Sequence, residues 1–297
     1  MLTIFTTPKP FLGHTGIIQR NALESWRRLR PTVQILVLGD AEGATEASAA
    51  AGARYVREIE TNEYGTPLVS AVFAEAERLS DSSVMCYVNA DIILLGDFAA
   101  AVQRVAGRRP FVMVGRRWDL DLREPCDFDL PGWEERLKTL AAQRGLLHAV
   151  TGLDYFGFPR GFWGPLPPLA IGRTAWDNWL IYRARALGAR VIDATPVVTA
   201  IHQNHDYRHH PDGEAGVWNG SEAKRNQELT GGPQYAFTVA DATHVLTRAG
   251  VWPALSIAHL KRRLATAPLI FPYLTPVVNP LLRVARRLQR PTVRTSP

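Results

Sequence analysis

Cysteine is almost missing from this chain, with Cys86 and Cys126 the two present among 297 residues. One sits in an apolar run and the other in a loop, which excludes a disulfide framework and a cysteine-built zinc knuckle. Acidic residues are missing after Asp241, although Arg248, Lys261, Arg262, Arg263, Arg283, Arg286, Arg287, Arg290 and Arg294 all follow it. The net charge of +6 therefore belongs to the C-terminal part, and residues 1–241 carry 25 basic against 28 acidic side chains. No apolar stretch is long and unbroken enough to predict a transmembrane span, because Pro268, Pro272, Pro276 and Pro280 interrupt the one candidate. Internal repeats and low-complexity tracts are missing as well. Met1-Leu2-Thr3-Ile4-Phe5 runs directly into a strand pattern, with no basic leader or cleavage site, so a cytoplasmic location is expected.

What is present suits a globular protein with a substantial core. Hydrophobic residues make up 46% of the chain, enough for one large α/β domain with an appendage. Solid apolar runs at residues 3–6, 33–38, 84–88 and 111–114 read as buried strands, with a short one at 54–56. Helical periodicity lies between them at 17–29, 41–52, 68–79 and 98–105. This alternation predicts a mostly parallel central sheet with helices on both faces. Ligands of such folds bind outside the carboxyl ends of the strands, where Thr7, Asp40 and Asp91 are expected to meet. The second half predicts helices at 133–143, 174–186 and 222–229, with Thr174 as N-cap and Gly188 as stop. It also predicts strands at 154–158, 191–192 and 197–201. A basic amphipathic helix at 254–264 and a final helix at 279–289 complete the expectation. The domain reading is a catalytic unit at 1–245 and a basic, proline-punctuated C-terminal arm at 246–297.

Three clusters carry chemistry. Asn89-Ala90-Asp91 ends the apolar strand Cys86-Tyr87-Val88 and precedes Ile92-Ile93. A carboxylate there is costly to desolvate unless it is paired, and a divalent cation that docks a diphosphate would pair it; a plain turn aspartate is the alternative. Trp176-Asp177-Asn178-Trp179 opens a helix, where the helix dipole alone would favour an aspartate. Two tryptophans beside a carboxylate also form the kind of wall that stacks on a sugar ring while an acid or base addresses a hydroxyl. The third cluster is the histidine-rich stretch from His202 to His210, which reads either as a solvated loop or as a source of metal ligands. No His-Glu-x-x-His helix accompanies it, so a zinc hydrolase is disfavoured.

In this order the motifs resemble the nucleotide-sugar-dependent glycosyltransferases of the GT-A fold, over roughly residues 1–210. The chain departs from that family's usual pattern at Asn89, where an aspartate is commoner, and at Trp176-Asp177-Asn178, where a Glu-Asp pair is commoner. The resemblance implies a Rossmann-related catalytic domain. Thr6, Thr7 and Asp40 would line the nucleoside pocket, and Asp91 would hold Mn²⁺ or Mg²⁺ with His202 or His205. The segment 62–66, ending at Thr66, would offer backbone N–H groups to the diphosphate. Asn89, Arg116 with Arg117 and Asp119, and Gly152 with Asp154 would face the donor sugar or acceptor. Asp177 would act on the acceptor hydroxyl as the catalytic residue, with Trp176 and Asn178 on the acceptor side.

The implied activity is metal-dependent transfer of a sugar from a nucleotide diphosphate donor to a hydroxyl acceptor, a lipid-linked or cell-envelope glycan among the candidates. A sugar nucleotidyltransferase is the enzymatic alternative, but residues 7–13 lack the Gly-rich, basic loop it would need. A non-catalytic membrane-surface binding module is the other alternative, kept open by Asn89. The basic arm, rich in Leu, Ile, Val, Phe, Tyr and Trp, points to an anionic membrane surface rather than nucleic acid. It would make the protein peripheral to the inner membrane face.

Overall fold

A computed structural model of the chain describes residues 1–108, 110–205, 213–278 and 280, with the side chains of residues 213 and 214 left aside. The first half winds as the apolar runs predict: β1 (Leu2–Thr6), α1 (Gly13–Arg27), β2 (Gln34–Leu38), α2 (Ala44–Ala50), β3 (Arg54–Val56), α3 (Val69–Leu79) and β4 (Val84–Val88). Then come β5 (Ile92–Ile93), α4 (Gly96–Val105), β6 (Phe111–Val114), β7 (Arg117–Leu120), α5 (Trp133–Arg144), β8 (Leu146–Leu147) and β9 (Tyr155–Pro159). The remainder supplies α6 (Trp176–Ala186), β10 (Arg190–Asp193), β11 (Ala200–Gln203), α7 (Gly213–Asn219) and α8 (Ser221–Leu229). It closes with β12 (His244–Thr247), β13 (Gly250–Pro253) and α9 (Ile257–Ile270).

Nine strands form one sheet in the order β13-β12-β10-β6-β9-β4-β1-β2-β3. Five of its eight pairings are parallel; β9 is antiparallel to both β4 and β6, and β13 to β12. Side chains alternate across it: Leu2, Ile4, Val84, Cys86 and Val88 enter one core cluster with Trp26 and Phe98. Phe5, Met85 and Tyr87 enter the other with Phe73, Phe156 and Trp176. Both faces are therefore covered, and the continuous apolar strands follow from that double burial. Each fully buried Phe or Leu contributes on the order of 1.5–3 kcal/mol of transfer free energy. The mostly parallel sheet with helices on both faces is as expected.

A second sheet, in the order β5-β11-β7-β8, stands over one rim of the first. Its strands follow directly from large-sheet strands: β5 after β4, β7 after β6, and β11 after β10. No strand of it was expected from the sequence before residue 197. A two-residue strand such as Ile92–Ile93 has no periodicity to read. Its apolar underside packs Ile93, Leu120 and Ile201 on Leu137 and Ala141 of α5.

Other expectations shift in position. The α6 helix starts at Trp176, and Thr174 does not cap it; its hydroxyl donates to Trp218 O at 3.1 Å. Gly188, at φ +76°, does stop the helix. The β12–β13 hairpin spans residues 244–253, on both sides of the division expected at 245. The amphipathic helix runs over Ile257–Ile270 and includes Pro268. Most of the helix expected at 279–289 lies outside the described residues. Among the described residues, no helix is long and apolar enough to cross a membrane.

Candidate active site

The carboxyl ends of β1, β2 and β4 open onto a crevice of about 1450 Å³, roofed by the small sheet and bounded by the start of α6 and by α7. Of the residues expected at a site, Thr7, Asp40, Thr66, Asn89, Asp91, Asp154, Trp176, Asp177, Asn178, His202 and His205 line it. Thr6 and Arg116 do not line it. Thr6 is fully buried in β1. Arg116 turns back to the carbonyls of His148 and Leu147, at 2.6 and 3.2 Å. Its neighbour Arg117 takes the crevice position, because alternation along β7 puts residues 117 and 119 on one face.

The small sheet assembles the densest cluster. Across the parallel β11–β7 pair His202 stands opposite Asp119, and across the antiparallel β11–β5 pair it stands opposite Ile92. Asp91 precedes Ile92, so register alone brings it to His202. Gln203, fully buried on the other face of β11, fixes the turn by donating to Asp91 O (3.0 Å) and Ile18 O (2.7 Å). His205 Nε2 donates to Asp91 Oδ2 at 3.0 Å, and His202 Nε2 lies 3.8 Å from the same oxygen. One ligand atom from each of Asp91, His202 and His205 lies within 4.8 Å of the other two. Burial alone would raise the Asp91 carboxyl, but the His205 hydrogen bond and both histidines hold it well below the usual carboxylate range. The remaining residues of the histidine-rich stretch, 206–210, lie outside the described residues.

Asp119 orients this cluster from behind. Its Oδ2 accepts from His148 Nδ1 at 2.6 Å and its Oδ1 from Arg117 Nε at 2.9 Å. His202 Nδ1 lies 3.2 Å from Asp119 Oδ1, an ion-pair contact without the alignment of a hydrogen bond. A histidine whose Nδ1 faces a carboxylate presents Nε2 forward, the arrangement that orients metal-bound imidazoles. Burial lowers the affinity of the His202 ring for a proton, but the Asp119 and Asp91 carboxylates outweigh it and raise its pKa. Asp91 Oδ1 is buried with no hydrogen-bond partner. A buried acceptor left this way is expensive, and a cation on the Asp91, His202 and His205 atoms would satisfy it. These residues therefore fit a divalent metal.

Asn89, on the crevice wall, is tied to a neighbouring carboxylate. Its amide donates to Asp154 Oδ1 at 2.8 Å, and its backbone N–H to Asp154 O at 2.9 Å. Arg117 reaches the same Asp154 oxygen at 2.7 Å, while Asp154 Oδ2 is buried without a partner. An aspartate at position 89 would set two carboxylates against each other, so the departure at Asn89 follows from its neighbour. Donors in the 62–66 segment are also spent locally. Tyr64 N and Thr66 N both donate to Asn62 Oδ1 at 3.0 Å, and Gly65 N to Asn62 O at 3.0 Å. That turn is closed on itself and does not offer those three N–H groups to a diphosphate. Asp40 stands at the outer rim in an exposed pair with Arg57 (3.0 Å).

Asp177 lies in the first turn of α6, its Oδ1 accepting from Asn178 N at 2.8 Å. Burial, with the nearby Asp154 charge adding to it, pushes its carboxyl up to about 7 against the opposing Asn178 N–H and Arg117. The Asn178 amide holds Phe237 O at 2.8 Å. Just before Asp177, Ala175 adopts φ +87°, the one non-glycine in the left-handed region among the described residues. Such strain costs roughly 1–3 kcal/mol and concentrates at functional sites. Trp176 lines the crevice with little exposed area, 4%, and packs edge-on against Tyr87 at 5.1 Å. Trp218 of α7, 47% exposed, adds a more open aromatic ring to the crevice wall. Arg173 is also there, held by Glu222 Oε2 at 2.7 Å. Sequence reading missed Trp218, Arg173 and His148 as site residues, since each stands alone with no spacing to mark it.

Comparison with protein-family models and with curated proteins finds no match. Among solved structures, the chain is similar to S. aureus TarS 1–349 in complex with UDP-GlcNAc, at 12% identity over 70% of this chain and 60% of that one, with a TM-score of 0.49. It is similar to the mannosyltransferase PcManGT from Pyrobaculum calidifontis in complex with GDP-Man and Mn²⁺, at 15% identity over 68% and 56%, TM-score 0.42. A third is glucosyl-3-phosphoglycerate synthase from Mycobacterium tuberculosis in complex with Mg²⁺ and UDP, at 15% identity over 78% and 80%, TM-score 0.45. The chain spans about 60% of the length of TarS 1–349. At these identities the chemistry of the crevice has to be argued from its own side chains.

Proposed function

We propose that the protein is a metal-dependent glycosyltransferase that moves a sugar from a nucleotide diphosphate donor to a hydroxyl acceptor. The observation that carries this reading is the placement of the Asp91–His202–His205 cluster and of Asp177, a carboxyl titrating near 7, on one crevice. Asp91, His202 and His205 would hold the cation, and two imidazoles beside one carboxylate suit Mn²⁺ better than Mg²⁺. When bound, the cation supplies Lewis-acid stabilisation of the charge that develops on the departing diphosphate.

The chain's own residues do the rest. Asp177 accepts the proton of the acceptor hydroxyl as that oxygen bonds to the anomeric carbon. The bond from that carbon to the diphosphate oxygen breaks at the same centre, and the nucleoside diphosphate leaves with the electron pair. A base that titrates close to the operating pH is the efficient choice for this transfer. Asp154, its Oδ1 held by Asn89 and Arg117, would accept from a donor-sugar hydroxyl through its unpartnered Oδ2. Thr7 and Thr66 line the donor side and Asp40 its rim. The acceptor is proposed to be a glycan or lipid-linked hydroxyl. Residues 1–245 would be the catalytic unit of a cytoplasmic protein, with the arm 246–297 holding it peripherally on an anionic membrane surface.

The test is thermal shift and nucleotide release with UDP-, GDP- and dTDP-sugars, with and without Mn²⁺. A nucleoside diphosphate should stabilise the protein only with metal, and Asp91→Ala should abolish that effect. A protein indifferent to every nucleotide would overturn the proposal.

A further inference from the structure

The α9 helix turns an apolar stripe away from the protein over its first turns. Arg262, Arg263 and Thr266 face the protein instead: Arg262 Nε donates to the buried Asp241 carboxylate at 2.8 Å. Arg263 donates to the carbonyls of Thr243 (2.8 Å) and Ala254 (3.0 Å). Thr266 is 3% exposed and accepts from Arg185 at 3.1 Å. Leu269 and Ile270 at the far end of the helix pack on the core, while Ile257, Leu260 and Leu264 face outward at 72, 48 and 44% exposure. Their spacing of three and four residues forms one stripe. Beyond the helix Phe271 and Tyr273 continue the apolar exposure, and Trp252 on β13 stands out at 57%. Soluble surfaces rarely gather this much contiguous apolar area without a partner.

Charge and ring chemistry identify the partner. Lys261 is exposed on the same helix and Arg248 at the β12–β13 turn, and no acidic residue follows Asp241. A second copy docking through the same face would bring these cations together with no carboxylate of the segment between them. An anionic lipid surface neutralises them, takes up the aliphatic stripe, and suits Trp252 and Tyr273, whose rings join an apolar body to a polar tip. The helix is too short to span, so it would lie in the headgroup plane. We propose that residues 252–278 are a membrane-docking face for anionic bilayers, in which Ile257, Leu260 and Leu264 enter the lipid. This rests on the peripheral reading of the arm and gives it a named surface, and its test does not pass through sugar transfer.

The experiment is sedimentation of the full chain with vesicles of phosphatidylcholine, with and without phosphatidylglycerol. Expected is binding to the phosphatidylglycerol vesicles that weakens with salt, and no binding to phosphatidylcholine alone. The triple variant Ile257→Gln, Leu260→Gln, Leu264→Gln should cut binding about tenfold or more. It should keep the parent's melting temperature, since the replaced side chains touch solvent. Equal binding by parent and triple variant would overturn the face while sparing the arm, and no binding by the parent would overturn both. A parent dimer that the triple variant turns into a monomer would assign the stripe to a second copy instead.

Discussion

In the large sheet, strands β1, β4 and β6 contain no charged residue, whereas the small sheet and the turn before it hold Asp91, Arg117, Asp119 and His202. The first is held by apolar area and hydrogen-bond ladders, the second by register and a web of partly buried ion pairs. Damage to the large sheet should therefore appear as lost stability. Damage to the small sheet and its rim should appear as lost chemistry.

The sharpest way to break this contrast is at Asp177. Asp177→Asn should lower turnover by about 10²–10⁴-fold while nucleoside diphosphate binding persists; loss of both would make the residue structural. Because its carboxyl is raised, the folded protein binds a proton more tightly than the unfolded chain does. Stability from that proton is complete below the ordinary carboxylate pKa and is lost as pH rises toward about 7. At neutral pH and above, Asp177→Asn should thus raise the melting temperature, by about 2–6 °C. The rate of the parent should climb with pH through about 7, and the variant should lose that limb.

On the other side of the comparison stands Trp26, fully buried, with its indole N–H on Ile92 O at 2.9 Å. Trp26→Ala should cost about 3–5 kcal/mol in denaturant unfolding. An unchanged midpoint would deny the large sheet its supporting role. Asp119→Asn is a milder probe of the small sheet. It should weaken Mn²⁺ binding, followed by titration, by about 10–100-fold with little change in fold. The smallest effect is expected at Ala175, where glycine relieves the left-handed backbone. Ala175→Gly should stabilise by about 1 kcal/mol, partly offset by the freer unfolded chain.

The same contrast explains what could be read in advance. Val84–Val88 is found residue for residue because a strand buried on both faces is a solid apolar word bounded by polar ones. Asp91, His202 and His205 stood out because carboxylates and imidazoles at strand tips ask for a partner. The strands that join them stayed hidden: Ile92–Ile93 and Leu146–Leu147 are two residues each, and only tertiary pairing makes them strands. Arg117 could have been chosen over Arg116 from the alternation of Arg117, Trp118, Asp119 and Leu120. Trp176 shows the limit of such reading, because an aromatic next to a carboxylate reads alike whether it faces a ligand or the core.

The reversed direction of β9 has a practical consequence for redesign. The chain leaves the large sheet at Val114 and re-enters at Tyr155 on the adjacent strand at the same rim, so residues 115–154 form a loop-out whose two ends are neighbours. None of the nine-strand ladder's pairings passes through this excursion, yet it carries Arg117, Asp119, His148 and Asp154 to the site. Redesign could therefore vary the rest of the excursion while those four side chains and the strands that hold them are kept.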